Sequence, residues 1–134
     1  MMVDTSAWIE FFRATGSSAD LALQAALRDN TPLIMPAVVL QELLQGARSP
    51  SHFMTLQAEL DQLAVFEPED SHELHRHAAL LYARCRWQGL TPRSPNDCVV
   101  AACALEAELP LLARDRDFAA IASVEPDLKL HLTP

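Results

Sequence analysis

Lysine is almost missing from this chain. Lys129 is the single lysine in 134 residues, nine arginines carry the rest of the positive charge, and the formal net charge is −8. A chain this acidic is not held on nucleic acid by its overall field, which would repel the phosphates. Arginines placed locally can still do so, because a planar guanidinium fork bonds two phosphate oxygens at once. Cysteine is also sparse. Cys85, Cys98 and Cys103 are odd in number and form no C-x-x-C, so no disulfide framework is written here. Such a set reads as buried thiols in a reducing, cytoplasmic setting. No apolar run approaches the length of a membrane span. No basic segment leading into an apolar stretch opens the chain, so no secretory signal is expected. The histidine-rich run His72-Glu73-Leu74-His75-Arg76-His77 does not make a metalloprotease, because Arg76 stands where H-E-x-x-H needs its second histidine. It reads as a solvated helix face.

What is present is apolar bulk. Half the residues are hydrophobic, enough for one domain over residues 1–134 with a real core. Met1 to Val3 is a short strand that breaks at Asp4-Thr5-Ser6 into a helix over residues 5–13. Helices follow over 19–28, 37–45, 52–63, 71–88, 97–108 and 117–123. Short apolar strands lie between them at 33–35, 64–66 and 109–113, and Leu128 to Leu132 alternates like an edge strand. Gly46 is placed as a helix C-terminal glycine and Pro36 as a first-turn proline. This alternation predicts a three-layer α/β/α sandwich around a mostly parallel sheet of four to five short strands. Trp8, Phe11 and Phe12 share one helix and read as packing against the core.

The acids carry the chemical information. Asp4 ends the first strand, and ligands of open α/β sheets bind at the carboxyl ends of strands. Glu42 is the one charge on the helix A-V-V-L-Q-E-L-L-Q. Asp97 opens a helix, Asp115 ends the fourth strand, and Asp117 follows. Capping competes with function at each aspartate: Asp4 is a good N-cap, Ser94-x-x-Asp97 resembles a capping box, and Asp115 or Asp117 could cap the last helix. Capping does not account for Glu42. Carboxylates that converge without histidine or cysteine suit a hard cation, Mg2+ or Mn2+. The matching chemistry is attack of an activated water on a phosphodiester. Arg13, Arg48, Arg93, Arg114 and Arg116 lie near these acids in sequence and are candidates for binding phosphates.

V-D-T-S-x-W-I at the start, E-L-L-Q-G after the second strand, N-D-x-x-x-A-A in the late helix and L-L-A-R-D-R-D-F near the end together resemble a PIN domain. The resemblance is closest to the VapC-type ribonuclease toxins and spans the chain in order. It implies an endoribonuclease dependent on Mg2+ or Mn2+, acting on structured RNA such as tRNA or ribosomal RNA. It also implies a homodimer held inactive by a VapB-type antitoxin. Asp4, Glu42, Asp97 and Asp115 match the family's acidic quartet, and Asp117 a further nearby acid. Ser6 matches the hydroxyl that supports the metal site, and Asn96 a frequent polar neighbour. Two other readings stand beside this one. A phosphatase with an N-terminal nucleophilic aspartate needs D-x-D-x-T, and Ser6 occupies the second acid's place. A degenerate PIN-like or receiver-like domain would bind a protein partner without turnover.

Overall fold

The computed structural model describes residues 1–114 and 116–131. Four strands, β1 (Met2–Val3), β2 (Ile34–Pro36), β3 (Ala64–Phe66) and β4 (Leu111–Leu112), pair in the order β3-β2-β1-β4. Every pair is parallel, with Met2 opposite both Ile34 and Leu111, and Met35 opposite Val65. Parallel strands need crossovers, and these are supplied by α1 (Thr5–Phe12) and α2 (Ser18–Arg28), then α3 (Ala37–Gln45) and α4 (Pro50–Leu60), then α5 (Ser71–Trp87) and α6 (Pro95–Ala107). A last helix, α7 (Ala119–Val124), follows β4. The result is the three-layer α/β/α sandwich. The chain steps outward from β1 to β3, then returns to place β4 on the other side of β1. The order therefore reverses between β1 and β4, and that switch point is where open α/β sheets bind their ligands.

Strand and helix ends follow the local sequence. Side chains of Asp4, Ser17, Ser49, Asp70 and Ser94 each accept a backbone N–H in the first turn of the helix they precede. Several boundaries differ from those predicted. Helix α4 begins at Pro50 and ends at Leu60, because Ser49 caps it upstream of His52. Helix α6 begins at Pro95, so Asp97 lies within its first turn. Pro36 closes β2 and sits at the N-cap of α3, with no side-chain cap bond. The final helix starts at Ala119, and its N-cap position is Phe118. The expected edge strand is reduced to one parallel bridge, Leu130 beside Leu111, held by bonds from Leu111 N to Lys129 O and from His131 N to Leu111 O. Leu132 lies outside the described residues.

The core is centred on β1, β4 and α6. Met2, Val3, Leu111 and Leu112 are fully buried. Cys98 and Val100 to Ala104 of α6 are all buried, so this helix is covered almost all round, where the sequence predicts a single apolar side. Small side chains at Ala101, Ala102 and Ala104 let it sit against its neighbours. Burial pushes the thiols of Cys98 and Cys103 up to about 12 and raises that of Cys85, so the three behave as inert core groups. Trp8 is buried and packs against Phe11 and Phe12 with ring centroids 5.9 and 5.8 Å away. Among the described residues no helix is long and apolar enough to cross a membrane.

Glu108 ends α6 in the left-handed region, at φ 54°. A side chain there costs about 1–2 kcal/mol that glycine does not incur. Glu108→Gly is therefore expected to raise stability by about 0.5–1 kcal/mol, after allowing for glycine's freer unfolded state. A urea melt checks this, and an unchanged or lower midpoint would count against the assignment.

Candidate active site

Asp4 stands where β1 turns into α1, with its backbone N–H bonded to Leu112 O of β4 at 2.9 Å. The side chain is buried. Its Oδ2 accepts from the Ser6 backbone at 2.9 Å and from Ser6 Oγ at 2.6 Å. The same hydroxyl accepts from Arg114 N at 3.0 Å, which ties the start of α1 to the loop after β4 across the switch point. Asp4 is thus both a helix cap and an acid at the ligand-binding edge. The two roles are not exclusive.

Glu42 projects from α3 toward this edge and accepts from Thr5 Oγ1 at 2.8 Å. Thr5 is a contributor that sequence reasoning leaves unassigned; the signal available for it is the pair of hydroxyls directly after Asp4. Asp97, in the first turn of α6, is partly buried. The capping box does not close: Ser94 Oγ accepts from Asn96 N at 3.0 Å, and among the described residues no donor bonds the Asp97 carboxylate. Asn96 is exposed and gives its backbone N–H to Ser94 Oγ.

Asp97 and Asp4 feel the charges of their neighbours. Burial pushes the Asp97 carboxyl up to about 7, and the charges of Asp4, Asp117 and Glu42 add to the rise while Arg93 opposes it. Burial likewise raises Asp4, against the pull of its bonds to Ser6, and Glu42 raises it further. Carboxyl groups from the β1–α1 junction, α3, α6 and the loop after β4 therefore lie within electrostatic reach of Asp97 at one sheet edge. Asp117 does not cap α7. It is buried, and its Oδ1 pairs with Arg93 Nη1 at 3.1 Å and Arg114 Nη2 at 3.4 Å. Asp115 lies outside the described residues. Arg13 and Arg48 line a cavity of about 450 Å3 with Glu42, His52 and the exposed ring of Phe12, while Arg116 is exposed on the turn after β4.

Among the described residues, the groups that raise Asp97 by charge are all carboxylates, and a positive ion would relieve their crowding. That chemistry fits a hard divalent cation. Among the described residues no three such groups stand close enough to hold an ion unaided. Magnesium sites commonly use one or two carboxylates and complete the shell with water and substrate phosphate, a pattern that does not require three protein acids.

An open parallel sheet with acids gathered at its switch point places the chain among the three-layer α/β domains, and comparison with known proteins gives the family. The PIN domain family matches residues 1–124. A VapC ribonuclease of Mycobacterium bovis and Ribonuclease VapC11 of Mycobacterium tuberculosis are each 36% identical over 125 residues, covering 92% of both chains. Among solved structures, VapBC of Salmonella typhimurium bound to DNA aligns with a TM-score of 0.71 at 17% identity, covering 97% of this chain and 95% of that one. VapBC2 of Rickettsia felis, bound to a promoter DNA fragment, aligns with a TM-score of 0.69 at 19% identity over 99% and 98%. FitAcB of Neisseria gonorrhoeae gives 0.67 at 17% identity over 98% and 99%. The chain belongs to the PIN domain family and is similar to its VapC ribonucleases.

Ser6→Ala removes one bond to Asp4 and the link to Arg114. It is expected to lower RNA cleavage about tenfold, the weight of one charge-assisted bond, while the circular dichroism spectrum stays unchanged. Cleavage at the wild-type rate would show that Ser6 does not hold Asp4 in place.

Proposed function

We propose that this protein is an endoribonuclease that hydrolyses phosphodiester bonds of structured cellular RNA, tRNA or ribosomal RNA, with Mg2+ or Mn2+. In this reading it works in the cytoplasm as the toxin of a toxin–antitoxin pair, as a homodimer restrained by a VapB-type antitoxin. The observation that carries the reading is the gathering of Asp4, Glu42 and Asp97 toward the β1–β4 switch point, where the charges of Asp4 and Glu42 help raise Asp97 and that of Glu42 helps raise Asp4. The ribonuclease names of the mycobacterial relatives and the VapBC complexes among the structural neighbours support it.

Asp4 and Asp97 would hold the cation, with Asp115 as a further candidate. The cation, when bound, supplies Lewis-acid stabilisation of the developing charge and a water of lowered pKa. Thr5 keeps Glu42 turned toward the site, where its carboxylate is suited to orient a water. Ser6 keeps Asp4 in one rotamer. The exposed arginines steer and seat the backbone phosphates, which reconciles a net charge of −8 with a polyanionic substrate.

The test is incubation of the purified protein with bulk tRNA and ribosomal RNA, in Mn2+ and in EDTA. Discrete fragments in Mn2+ and intact RNA in EDTA are expected. Intact RNA in both, from a sample that melts cooperatively, would contradict the proposal.

A further inference from the structure

By sequence Asp117 matches an acid beside the family's metal site, yet its side chain is already engaged. One oxygen, Oδ1, takes Arg93 Nη1 at 3.1 Å and Arg114 Nη2 at 3.4 Å. The carboxylate side chain is 8% exposed, whereas the two arginine side chains are 57% and 43% exposed. A buried acid therefore grips two guanidinium groups by an inner N–H each and leaves much of each arginine facing solvent. Arg93 comes from the loop before α6 and Arg114 from the loop after β4, so the pair straddles the edge where Asp97 stands. Two cations on one anion also leave a net positive charge at an edge otherwise crowded with acids. Without the anion between them, guanidiniums this close would repel each other apart.

We propose that Asp117 is a positioning residue and not a ligand of the cation: it holds Arg93 and Arg114 together as a clamp for an RNA backbone phosphate bordering the acid cluster. This rests on the ribonuclease reading above. Free N–H groups on a guanidinium fork match phosphate oxygens two at a time, and a fork held at its base loses less freedom on binding than a loose one.

The experiment separates the two possible jobs of Asp117. In the full-length Asp4→Asn protein, which blocks cleavage, binding of a fluorescein-labelled single-stranded oligoribonucleotide is followed by anisotropy in EDTA over a range of salt. Adding Asp117→Asn is expected to weaken binding about tenfold and to reduce the salt slope by about 0.7 for each phosphate that is no longer neutralised. The Arg93→Gln, Arg114→Gln double substitution should do the same, and combining all three should add little, because the groups act as one unit. That double substitution also serves if Asp117→Asn fails to fold. In an otherwise wild-type background, the Mn2+ affinity of Asp117→Asn, read by electron paramagnetic resonance, should stay within about twofold. A loss of Mn2+ affinity of about tenfold or more, with RNA binding intact, is the signature of a ligand or its direct support and overturns the clamp. If the wild type cleaves RNA but the arginine variants bind it as tightly as their parent, the clamp falls and the nuclease stands. If the wild type neither binds nor cleaves RNA, both fall.

Discussion

Replacing Asp97 by Asn is expected to stop RNA cleavage and, in the metal-free protein, to raise the melting temperature. The two effects have one cause. Asp97 sits in the first turn of α6, partly buried, facing the charges of Asp4, Asp117 and Glu42. A negative charge there is destabilising for the fold and is useful only when a cation answers it. Asparagine keeps the shape and removes the charge. The loss of rate should be on the order of 1000-fold or more, since a metal-centred site contributes several kcal/mol to the transition state. The gain in stability at pH 8 should be about 1–2 kcal/mol, the linkage expected of a raised carboxyl after discounting for its partial exposure. Gel-based cleavage and a thermal melt on the same sample check both. A variant that loses activity and stability together would mean that Asp97 serves packing, not catalysis.

The metal-free wild type should become less stable as the pH rises from about 4 to about 7. The Asp97 carboxyl is raised from 3.8 to about 7 by folding, and Asp4 is raised as well. Between those values the folded state keeps a proton that the unfolded state has released, so stability falls with rising pH across that window and levels off above it. For Asp97 the drop is about 2 kcal/mol once screening is allowed for, or about 7 °C in melting temperature. Mn2+ should reverse the trend, because it binds the deprotonated carboxylates; its stabilising effect should be large at pH 8 and small at pH 5.5. Melting curves in EDTA and in Mn2+ at those two pH values provide the measurement. A metal-free protein that gains stability between pH 5.5 and pH 8 would contradict the crowding of acids at this edge.

Much of the sheet was legible because each strand is short, apolar and closed by a strong breaker. Asp4 marks the end of β1 since an acid and two hydroxyls cannot continue a buried strand. Glu42 stands out as the only charge on α3. Other features depend on pairings that local patterns do not encode. Thr5 holds Glu42 across 37 positions, and Arg93 reaches Asp117 across 24; both exist only once the crossovers have brought β1, α3 and β4 to one edge. Capping signals also misled. Ser94-x-x-Asp97 has the composition of a capping box, but the helix starts early enough that Ser94 bonds Asn96 and leaves Asp97 to the site. Helix α6 shows apolar residues on one side by sequence and is nevertheless covered almost all round, because both α5 and α3 pack against it.

The most direct measurement is a crystal structure of the protein soaked in Mn2+, with anomalous scattering used to find the ion. One strong peak is expected at the β1–β4 switch point, about 2.1 Å from carboxylate oxygens of both Asp4 and Asp97. A peak elsewhere on the molecule, or none at that edge in a soak that saturates activity, would contradict a cation shared by these two acids.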